Sequence, residues 1–317
     1  MFKFLLYETI HEAGMEVLQA AGEVRLASGT DEDTIIAEIG DIDGVVIRSR
    51  GAMTRRIMEH APKLKVVGRH GVGVDNVDLE AATEHGIQVV NTPMAVVQPV
   101  AEHTVAMMLS LSKHMYVSET ALRGGDFEIR YRVMGRELRG RTVGIIGFGR
   151  IGRRVAEILH RGFDMQVLYT DVVPAPEQER ELGARKVDLE ELLRTAEYIT
   201  VHVPLLPETR HLIGDAQFDM MRRDALFFNA SRGPVVDEAA LYRALTEGKI
   251  AGAGLDVFEQ EPTPADNPLL KLDNVVVTPH MATATQESMR EMALVARDLV
   301  AVLEGRPPEY PVNRLNK

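Results

Sequence analysis

The sequence of 317 residues contains no cysteine. Disulfides, thiolate metal sites, iron–sulfur clusters and cysteine nucleophiles are therefore excluded, and any chemistry must use other side chains. Basic residues are fewer than acidic ones: the chain has 36 lysines and arginines and 47 aspartates and glutamates, which gives a net charge of −11. This charge repels phosphodiester backbones and anionic lipid, so we expect neither nucleic acid nor a membrane as a partner.

Long apolar segments are missing as well. No stretch approaches the roughly 18 apolar residues of a membrane helix, and the short apolar run at the N-terminus is interrupted by Glu8, which argues against a signal peptide. We therefore expect a cytoplasmic protein. No internal repeat and no low-complexity linker marks a domain boundary, but the length predicts about two domains.

Short β-branched runs alternate with amphipathic segments along the whole chain, which predicts the α/β fold class with two doubly wound parallel-sheet domains. A second α/β series begins at the run Thr142 to Ile146. Helical segments are predicted at Ala101 to Tyr116 and Gln286 to Glu304, where they would connect the domains. The second of these would return the chain to the N-terminal domain, so we predict one domain from 1–98 and 284–317 and another from 99–283.

A glycine pattern follows the strand Thr142 to Ile146 directly. Gly147, Gly149 and Gly152 have G-x-G-x-x-G spacing and open a helical stretch. In this context the first glycine permits a tight turn, the second lets the backbone approach a pyrophosphate, and the third allows close packing of helix and strand. Asp171 ends the next apolar run, 19 residues after Gly152, where a carboxylate can accept the adenosine ribose hydroxyls and repel a 2′-phosphate. The pattern predicts NAD as the cofactor.

Three charged residues follow later apolar runs, at the strand ends where open parallel sheets bind ligands. They are Arg232, Glu261 and His280. Together they provide a cation for an anionic substrate, a carboxylate to orient an imidazole, and a base for a hydroxyl proton, as hydride transfer from an alcohol requires. Each residue alone has an ordinary structural explanation. No H-E-x-x-H motif or other metal spacing occurs, so no metal is predicted, and no G-x-S-x-G elbow supports a hydrolase.

Several longer segments resemble the D-isomer-specific 2-hydroxyacid dehydrogenase family, and within it the phosphoglycerate dehydrogenase branch. They occur in the family's order along nearly the whole chain: VVGRHGVGVDNVDLEAATEHGIQVVNTP (66–93), AEHTVAMML (101–109), TVGIIGFGRIG (142–152), HVPLLPET (202–209), NASRGPVVDEAAL (229–241), GLDVFEQEP (254–262) and TPH (278–280). The resemblance implies a Rossmann-type NAD domain, a flavodoxin-like substrate domain with a cleft between the two, and a homodimer.

The resemblance also implies roles for individual residues. Arg232 would hold the substrate carboxylate, His280 would take the hydroxyl proton, and Glu261 would pair with His280. Backbone N–H groups around His70, Gly71 and Val72 would form a nest for the carboxylate. The remaining residues that the family pattern places at the cofactor are Thr104, Arg150, Ile151, Val203, Pro204, Ala230 and Asp256.

Two arginines predict a second anionic group on the substrate. Arg48 and Arg69 each follow an apolar run and should emerge at the carboxyl edge of the first sheet, where the family's phosphoglycerate dehydrogenases meet phosphate. The alternative is that they pair with local acids. Because the sequence ends soon after its last helix, we also expect no C-terminal regulatory domain.

These observations predict hydride transfer between NAD(H) and a small D-2-hydroxy acid or 2-keto acid. The predicted substrate has a second anionic group, as 3-phosphoglycerate does. The alternatives are a hydroxypyruvate or glyoxylate reductase of broad specificity, and an NAD-sensing binding protein that resembles the family's corepressors. Glu261 argues against a formate dehydrogenase, because those relatives have glutamine as the histidine's partner.

Overall fold

The computed structural model describes residues 1–315, so the last two residues of the predicted segment 284–317 lie outside the described chain. The chain forms two compact units. The first contains Met1–Val96 and the chain from Thr283 onward, and the second contains Val97–Ala282. That the first unit binds the substrate and the second binds NAD stays a prediction.

All strands of both units run parallel to their neighbours. In chain order they are β1 (Phe2–Leu6), β2 (Gly22–Leu26), β3 (Gly44–Ile47), β4 (Val66–Arg69), β5 (Gln88–Asn91), β6 (Thr142–Ile146), β7 (Gln166–Thr170), β8 (Arg185–Lys186), β9 (Tyr198–Val201), β10 (Leu226–Asn229), β11 (Gly252–Leu255) and β12 (Val275–Val277).

Helices connect the strands. In chain order they are α1 (Glu12–Ala21), α2 (Glu32–Glu38), α3 (Arg55–Glu59), α4 (Leu79–Glu84), α5 (Val97–Ser112), α6 (Met115–Arg123), α7 (Arg150–Phe163), α8 (Pro176–Leu182), α9 (Leu189–Thr195), α10 (Asp215–Met220), α11 (Glu238–Thr246), α12 (Gln286–Ala293) and α13 (Val295–Leu303). Short 3₁₀ helices lie at Phe127–Tyr131, Gly233–Val235 and Pro268–Lys271.

The first unit is built on a five-stranded sheet in the order β2-β1-β3-β4-β5, which is the flavodoxin-like arrangement. Its core includes residues from both ends of the chain, because α13 packs directly on β4. A Cβ atom on Gly68 of β4 would overlap the side chain of Leu299 of α13. The absence of a side chain at position 68 therefore lets the returning helix close this unit.

The second unit is built on a seven-stranded sheet in the order β12-β11-β10-β9-β6-β7-β8. The chain builds outward from β6 in one direction through β8 and then returns to build from β9 in the other. This reversal between β6 and β9 is the switch point at which Rossmann-type sheets bind dinucleotides. Strands β9, β10 and β11 are buried at every position, as both faces are covered. The prediction of two doubly wound α/β units is confirmed.

The two predicted connecting helices differ from the observed ones. The predicted helix 101–116 is wrong in its bounds, because α5 already ends at Ser112 and His114 adopts a left-handed conformation with φ of 51°. The predicted helix 286–304 is divided at Leu294, whose N–H donates to the carbonyl of Glu291 three residues earlier. This 3₁₀ hydrogen bond tightens the turn and ends α12 before α13 begins. Among the described residues, no helix has both the length and the apolar character that a membrane span requires.

Candidate active site

The predicted residues of the second unit lie along the carboxyl edge of one sheet. Arg232 follows β10, Glu261 lies beyond β11 and His280 follows β12, and these three strands are adjacent in the sheet. On the other side of β9, the glycine pattern follows β6 and Asp171 follows β7. Since all seven strands are parallel, the loops after them emerge on the same edge.

His280 and Glu261 form a direct hydrogen bond. The Nδ1 atom of His280 lies 2.7 Å from the Oε2 atom of Glu261, and the Oε1 atom of Glu261 accepts the backbone N–H of Phe258 at 3.0 Å. We assign the Nδ1 proton to the donor role because a carboxylate can only accept, which leaves Nε2 of the neutral ring as a proton acceptor. The His280 side chain is half exposed, so that atom is open to a ligand.

The hydrogen bonds around Glu261 keep its carboxylate ionised. Burial by itself would raise the pKa of Glu261, but the hydrogen bonds from His280 and from the Phe258 N–H outweigh it, and the charges of His280 and Arg232 act in the same direction. The net result is a pKa below the usual value of 4.5. The pair is thus suited to stabilise a protonated imidazole at neutral pH.

A turn after β10 presents Arg232. The buried Asn229 accepts the N–H and the hydroxyl of Ser231 with its Oδ1 atom and donates from Nδ2 to the carbonyl of Arg232 at 2.9 Å. Next in the chain, Gly233 packs against Phe258, and a Cβ atom there would overlap the Phe258 carbonyl. This close approach brings the loop of Glu261 beside Arg232.

The backbone at His280 is held by Asp256. The His280 N–H donates to the carbonyl of Asp256 at 2.6 Å, and the Asp256 carboxylate accepts from the Thr278 hydroxyl and from the N–H groups of Met281 and Ala282. Only 1% of the Asp256 surface is exposed. Its carboxylate therefore bonds to protein donors, and the predicted contact with the nicotinamide stays a prediction.

The glycine pattern forms a tight turn with an open face. Gly147 has φ of 91°, and a Cβ atom there would lie 2.8 Å from the backbone of His202. A Cβ atom on Gly152 would overlap the carbonyl oxygen of Gly147, whereas Gly149 has no atom within 4 Å of its Cβ position. Gly149 is also the N-cap residue of the 14-residue helix α7, which therefore has no side-chain cap. The space over Gly149 and the uncapped N-terminus fit a pyrophosphate.

Asp171 connects the glycine turn to the end of β7. Its Oδ2 atom accepts the N–H of Phe148 at 2.6 Å, and its Oδ1 atom accepts the N–H of Val173 at 2.9 Å. Each carboxylate oxygen has a second lone pair, so the side chain can still accept ribose hydroxyls. These residues fit the adenosine half of a dinucleotide.

The other predicted cofactor residues lie on the same unit in different settings. Arg150 and Ile151 form the first turn of α7, Val203 and Pro204 follow β9, and Ala230 follows β10. Thr104 differs from these, because it is fully buried in α5 and its hydroxyl donates to the carbonyl of Val100 at 2.8 Å. Its contact with a cofactor stays a prediction.

In the first unit, Arg48 and Arg69 lie at the ends of the adjacent strands β3 and β4. Arg48 donates to the carbonyl of Thr9 at 2.6 Å, and Arg69 donates to the carbonyl of His70. His70 is buried, and its pKa falls to about 3, first because of burial and then because of the charges of Arg48 and Arg69. The His70 ring is therefore neutral at physiological pH, and Arg48 and Arg69 are near enough for their charges to act on it.

The predicted backbone nest is partly engaged within this unit. The N–H of His70 donates to the carbonyl of Ile47 at 3.0 Å, and the N–H of Gly71 donates to the hydroxyl of Thr92 at 3.1 Å. Val72, the third predicted nest residue, is 38% exposed. The role of the nest stays a prediction.

Two residues near the predicted site were not predicted from the sequence. His103 of α5 lies 2.8 Å from the hydroxyl of Thr278 through its Nε2 atom. Both residues occur in segments that carry the family resemblance, but no spacing signal connects positions 175 residues apart. Within residues 1–315, no three histidine or carboxylate side chains converge as a metal site would require.

Comparisons with known proteins agree with this geometry. Residues 105–282 match the family model described as D-isomer specific 2-hydroxyacid dehydrogenase, NAD binding domain. The whole chain is 44% identical to a D-3-phosphoglycerate dehydrogenase of Methanocaldococcus jannaschii, of which it covers 60%. It is 41% identical to a glyoxylate reductase of Korarchaeum cryptofilum, with 96% of this chain and 94% of the relative covered.

A solved structure shows the same fold. The holo form of D-mandelate dehydrogenase from Rhodotorula graminis superposes with a TM-score of 0.92 at 30% identity, covering 99% of this chain and 98% of that one. The chain spans only about 60% of the length of the phosphoglycerate dehydrogenases of Methanocaldococcus jannaschii and Archaeoglobus fulgidus. The matched NAD-binding model contains the glycine turn, Asp171, Arg232, Glu261 and His280.

Proposed function

The chain belongs to the D-isomer specific 2-hydroxyacid dehydrogenase family, and from this premise we propose that it transfers a hydride between NAD(H) and a small D-2-hydroxy acid or 2-keto acid. The observation that carries the proposal is the 2.7 Å hydrogen bond between His280 and Glu261, on loops adjacent to Arg232. This set provides an oriented base, a carboxylate that stabilises its protonated form, and a fixed cation.

In the oxidative direction, Nε2 of His280 takes the hydroxyl proton, since Nδ1 is engaged by Glu261. The Glu261 carboxylate then stabilises the imidazolium. Arg232 binds the substrate carboxylate and polarises the developing carbonyl oxygen through charge-assisted hydrogen bonds. NAD, when bound, supplies the hydride acceptor. In the reductive direction the same proton returns from His280 to the carbonyl oxygen.

The proposed cofactor residues separate into two groups. Gly147, Gly149 and Gly152, with Arg150 and Ile151 of α7, would hold the pyrophosphate, and Asp171 would bind the adenosine ribose. Val203, Pro204 and Ala230 would flank the nicotinamide half, as would Thr104 and Asp256 in the family pattern. Because Asp171 is a carboxylate, a ribose 2′-phosphate would meet repulsion, which supports NAD over NADP.

For the substrate, we propose a 2-hydroxy acid with a second anionic group, bound by Arg48 and Arg69. The support is the positive charge that Arg48 and Arg69 place beside the buried His70 and the similarity to D-3-phosphoglycerate dehydrogenases. A glyoxylate or hydroxypyruvate reductase is the second candidate, because the glyoxylate reductase of Korarchaeum cryptofilum is matched over 94% of its length.

We further propose a homodimer formed through the segment from Met115 to Met134. In this segment neither α6 nor the following 3₁₀ helix buries a single residue. Its large apolar side chains are exposed instead: Met115, Tyr116, Leu122, Phe127, Tyr131 and Met134. A two-fold dimer pairs the same patch of both chains, so a second copy would remove these apolar side chains from water. Light scattering should give twice the mass of one chain, and Tyr131→Glu with Met134→Glu should give one.

A cytoplasmic location belongs to the same proposal, because the reaction draws on the intracellular pool of NAD(H). The reaction is tested by following NADH absorbance. The hydroxy acids lactate, glycolate and 3-phosphoglycerate are tested with NAD, and hydroxypyruvate, glyoxylate and the keto acid of 3-phosphoglycerate are tested with NADH. His280→Ala should lose about 10²–10⁴-fold in kcat while the Kd of NADH stays unchanged. NADH binding without turnover on any of these acids would overturn the enzyme proposal and favour a binding protein.

A further inference from the structure

A chain of side-chain hydrogen bonds leads from α5 to the loop that carries His280. The Nε2 atom of His103 lies 2.8 Å from the Thr278 hydroxyl, and that hydroxyl donates to the Oδ1 atom of Asp256 at 2.6 Å. A threonine hydroxyl has one proton, and here it is directed at the carboxylate. The Thr278 oxygen therefore accepts a hydrogen bond from the Nε2–H of His103, which fixes the orientation of the ring.

Asp256 connects Thr278 to the backbone of the His280 loop through hydrogen bonds. Its two carboxylate oxygens accept the N–H groups of Met281 and Ala282 at 2.8 and 2.9 Å, and its carbonyl accepts the N–H of His280 at 2.6 Å. The carboxylate is almost fully buried, and the Nε2 atom of His103 lies 3.6 Å from its Oδ1 atom. Asp256 therefore holds the loop from His280 to Ala282.

The conformation of His280 needs this support. Its φ of 50° lies in the left-handed region, which is unfavourable for a residue with a Cβ atom. Such conformations persist only where the surroundings over-determine them. The hydrogen bonds to Asp256 hold His280 in this conformation, and they thereby set the direction in which its imidazole leaves the backbone.

We propose that His103 is a positioning residue, which orients the Thr278 hydroxyl toward Asp256 and so keeps His280 in its left-handed conformation. The inference rests on the proposed function, since it assigns His103 a part in catalysis through His280. His103 does not touch the base itself. Its contribution is to orient a hydroxyl that would otherwise rotate, and thereby to keep the carboxylate available to the loop amides.

The test compares two substitutions of the same residue. His103→Leu removes the donor, whereas His103→Gln retains an N–H donor on a side chain of similar length. We expect His103→Leu to lower kcat by about 10-fold to 10²-fold, the range for a small misplacement of a catalytic group, with the KM for NADH and for the acid nearly unchanged. His103→Gln should recover most of kcat. His85→Leu, an exposed histidine on the first unit, is the matched control and should keep the wild-type kcat.

Hydrogen exchange of the 278–282 peptide tests the positioning without any turnover. We expect faster exchange in His103→Leu and in Thr278→Val, but not in His103→Gln or Thr278→Ser. The double variant His103→Leu with Thr278→Val should exchange no faster than either single variant, because both act through one hydrogen-bond chain. Thr278→Val keeps the inference testable if His103→Leu does not fold.

The outcomes distinguish the two proposals. A wild-type protein that reduces no 2-keto acid, with the exchange pattern as expected, would overturn the proposed function and leave the positioning role of His103 standing. Unchanged exchange and unchanged kcat in both His103→Leu and Thr278→Val would overturn the inference. A loss of kcat that His103→Gln does not recover would also overturn it, because the donor would then not be what matters.

Discussion

Gly233 and Phe258 pack so closely that a Cβ atom on Gly233 would overlap the carbonyl oxygen of Phe258. Gly233 directly follows Arg232, and the N–H of Phe258 donates to Glu261. The contact therefore joins the loop after β10 to the loop after β11 at the point where each presents a charged residue. Gly233, which has no reactive side chain, thus sets the separation between Arg232 and Glu261.

The first prediction follows from this contact. Gly233→Ala should destabilise the protein by about 1–3 kcal/mol, as overpacking of a close contact does, and should lower kcat/KM by at least about tenfold. Urea unfolding and steady-state kinetics measure the two effects. Gly162→Ala is the control, because its Cβ position in α7 is open and alanine favours a helix. A wild-type kcat/KM in Gly233→Ala would show that the Phe258 contact does not position the site.

The second prediction concerns the pH dependence of the Glu261 carboxylate. Its folded-state pKa lies below the usual 4.5, so the ionised side chain stabilises the fold above that pH and the contribution is lost as the pH falls below it. Glu261→Gln should therefore be less stable than wild type at neutral pH, and the difference should shrink as the pH drops below 4.5. Urea unfolding from neutral pH to below 4.5 measures this difference. A difference that is the same across the range would show that the charge of Glu261 does not matter to stability.

The parts of the site that the sequence predicted are those that follow from strand order. Apolar runs in a parallel sheet end on one edge, so placing Arg232 and His280 after such runs already predicts that they share that edge. The turn at Gly147 was predictable for a similar reason, because only glycine adopts its φ of 91° readily.

The parts that the sequence could not predict depend on register and on long-range partners. The N–H of His70 extends the hydrogen bonding of β4 by one residue to Ile47, which only the observed pairing shows. Asp256 is a carboxylate after a strand, and nothing in the residue type tells whether it faces a ligand or the amides of a distant loop. The break at His114 has no proline or glycine to signal it.

The third prediction concerns cofactor choice. Asp171→Ala removes the acceptors for the ribose and the repulsion of a 2′-phosphate, so the ratio of kcat/KM for NAD over NADP should fall by at least about tenfold. The same change also removes the hydrogen bonds to Phe148 and Val173. Asp171→Asn keeps an acceptor oxygen for one of these and should retain more activity with NAD than Asp171→Ala. An unchanged ratio in both variants would show that Asp171 does not contact the ribose.

The last prediction concerns the far end of the substrate. Arg69 is paired in register with Ile47, the residue before Arg48, so the two arginines lie at the carboxyl ends of adjacent strands, on the same edge of the sheet. Burial and, after it, the charges of the two arginines hold the pKa of His70 down at about 3, since positive charges repel a protonated ring. An anionic group bound there would relieve this repulsion through charge-assisted hydrogen bonds.

We therefore expect 3-phosphoglycerate or a similar dianion to be preferred over lactate and glycolate. Arg69→Ala should raise the KM for the dianion by about 10-fold, equivalent to about 1.4 kcal/mol, and leave the KM for lactate nearly unchanged. Arg50→Ala is the matched control, because Arg50 is largely exposed and pairs with Glu8 at 4.0 Å, and it should change neither KM. Equal kcat/KM for lactate and for every dianion, in wild type and in Arg69→Ala alike, would contradict the proposed second anion site. A guanidinium that binds the distal group must discriminate between substrates that have that group and substrates that lack it.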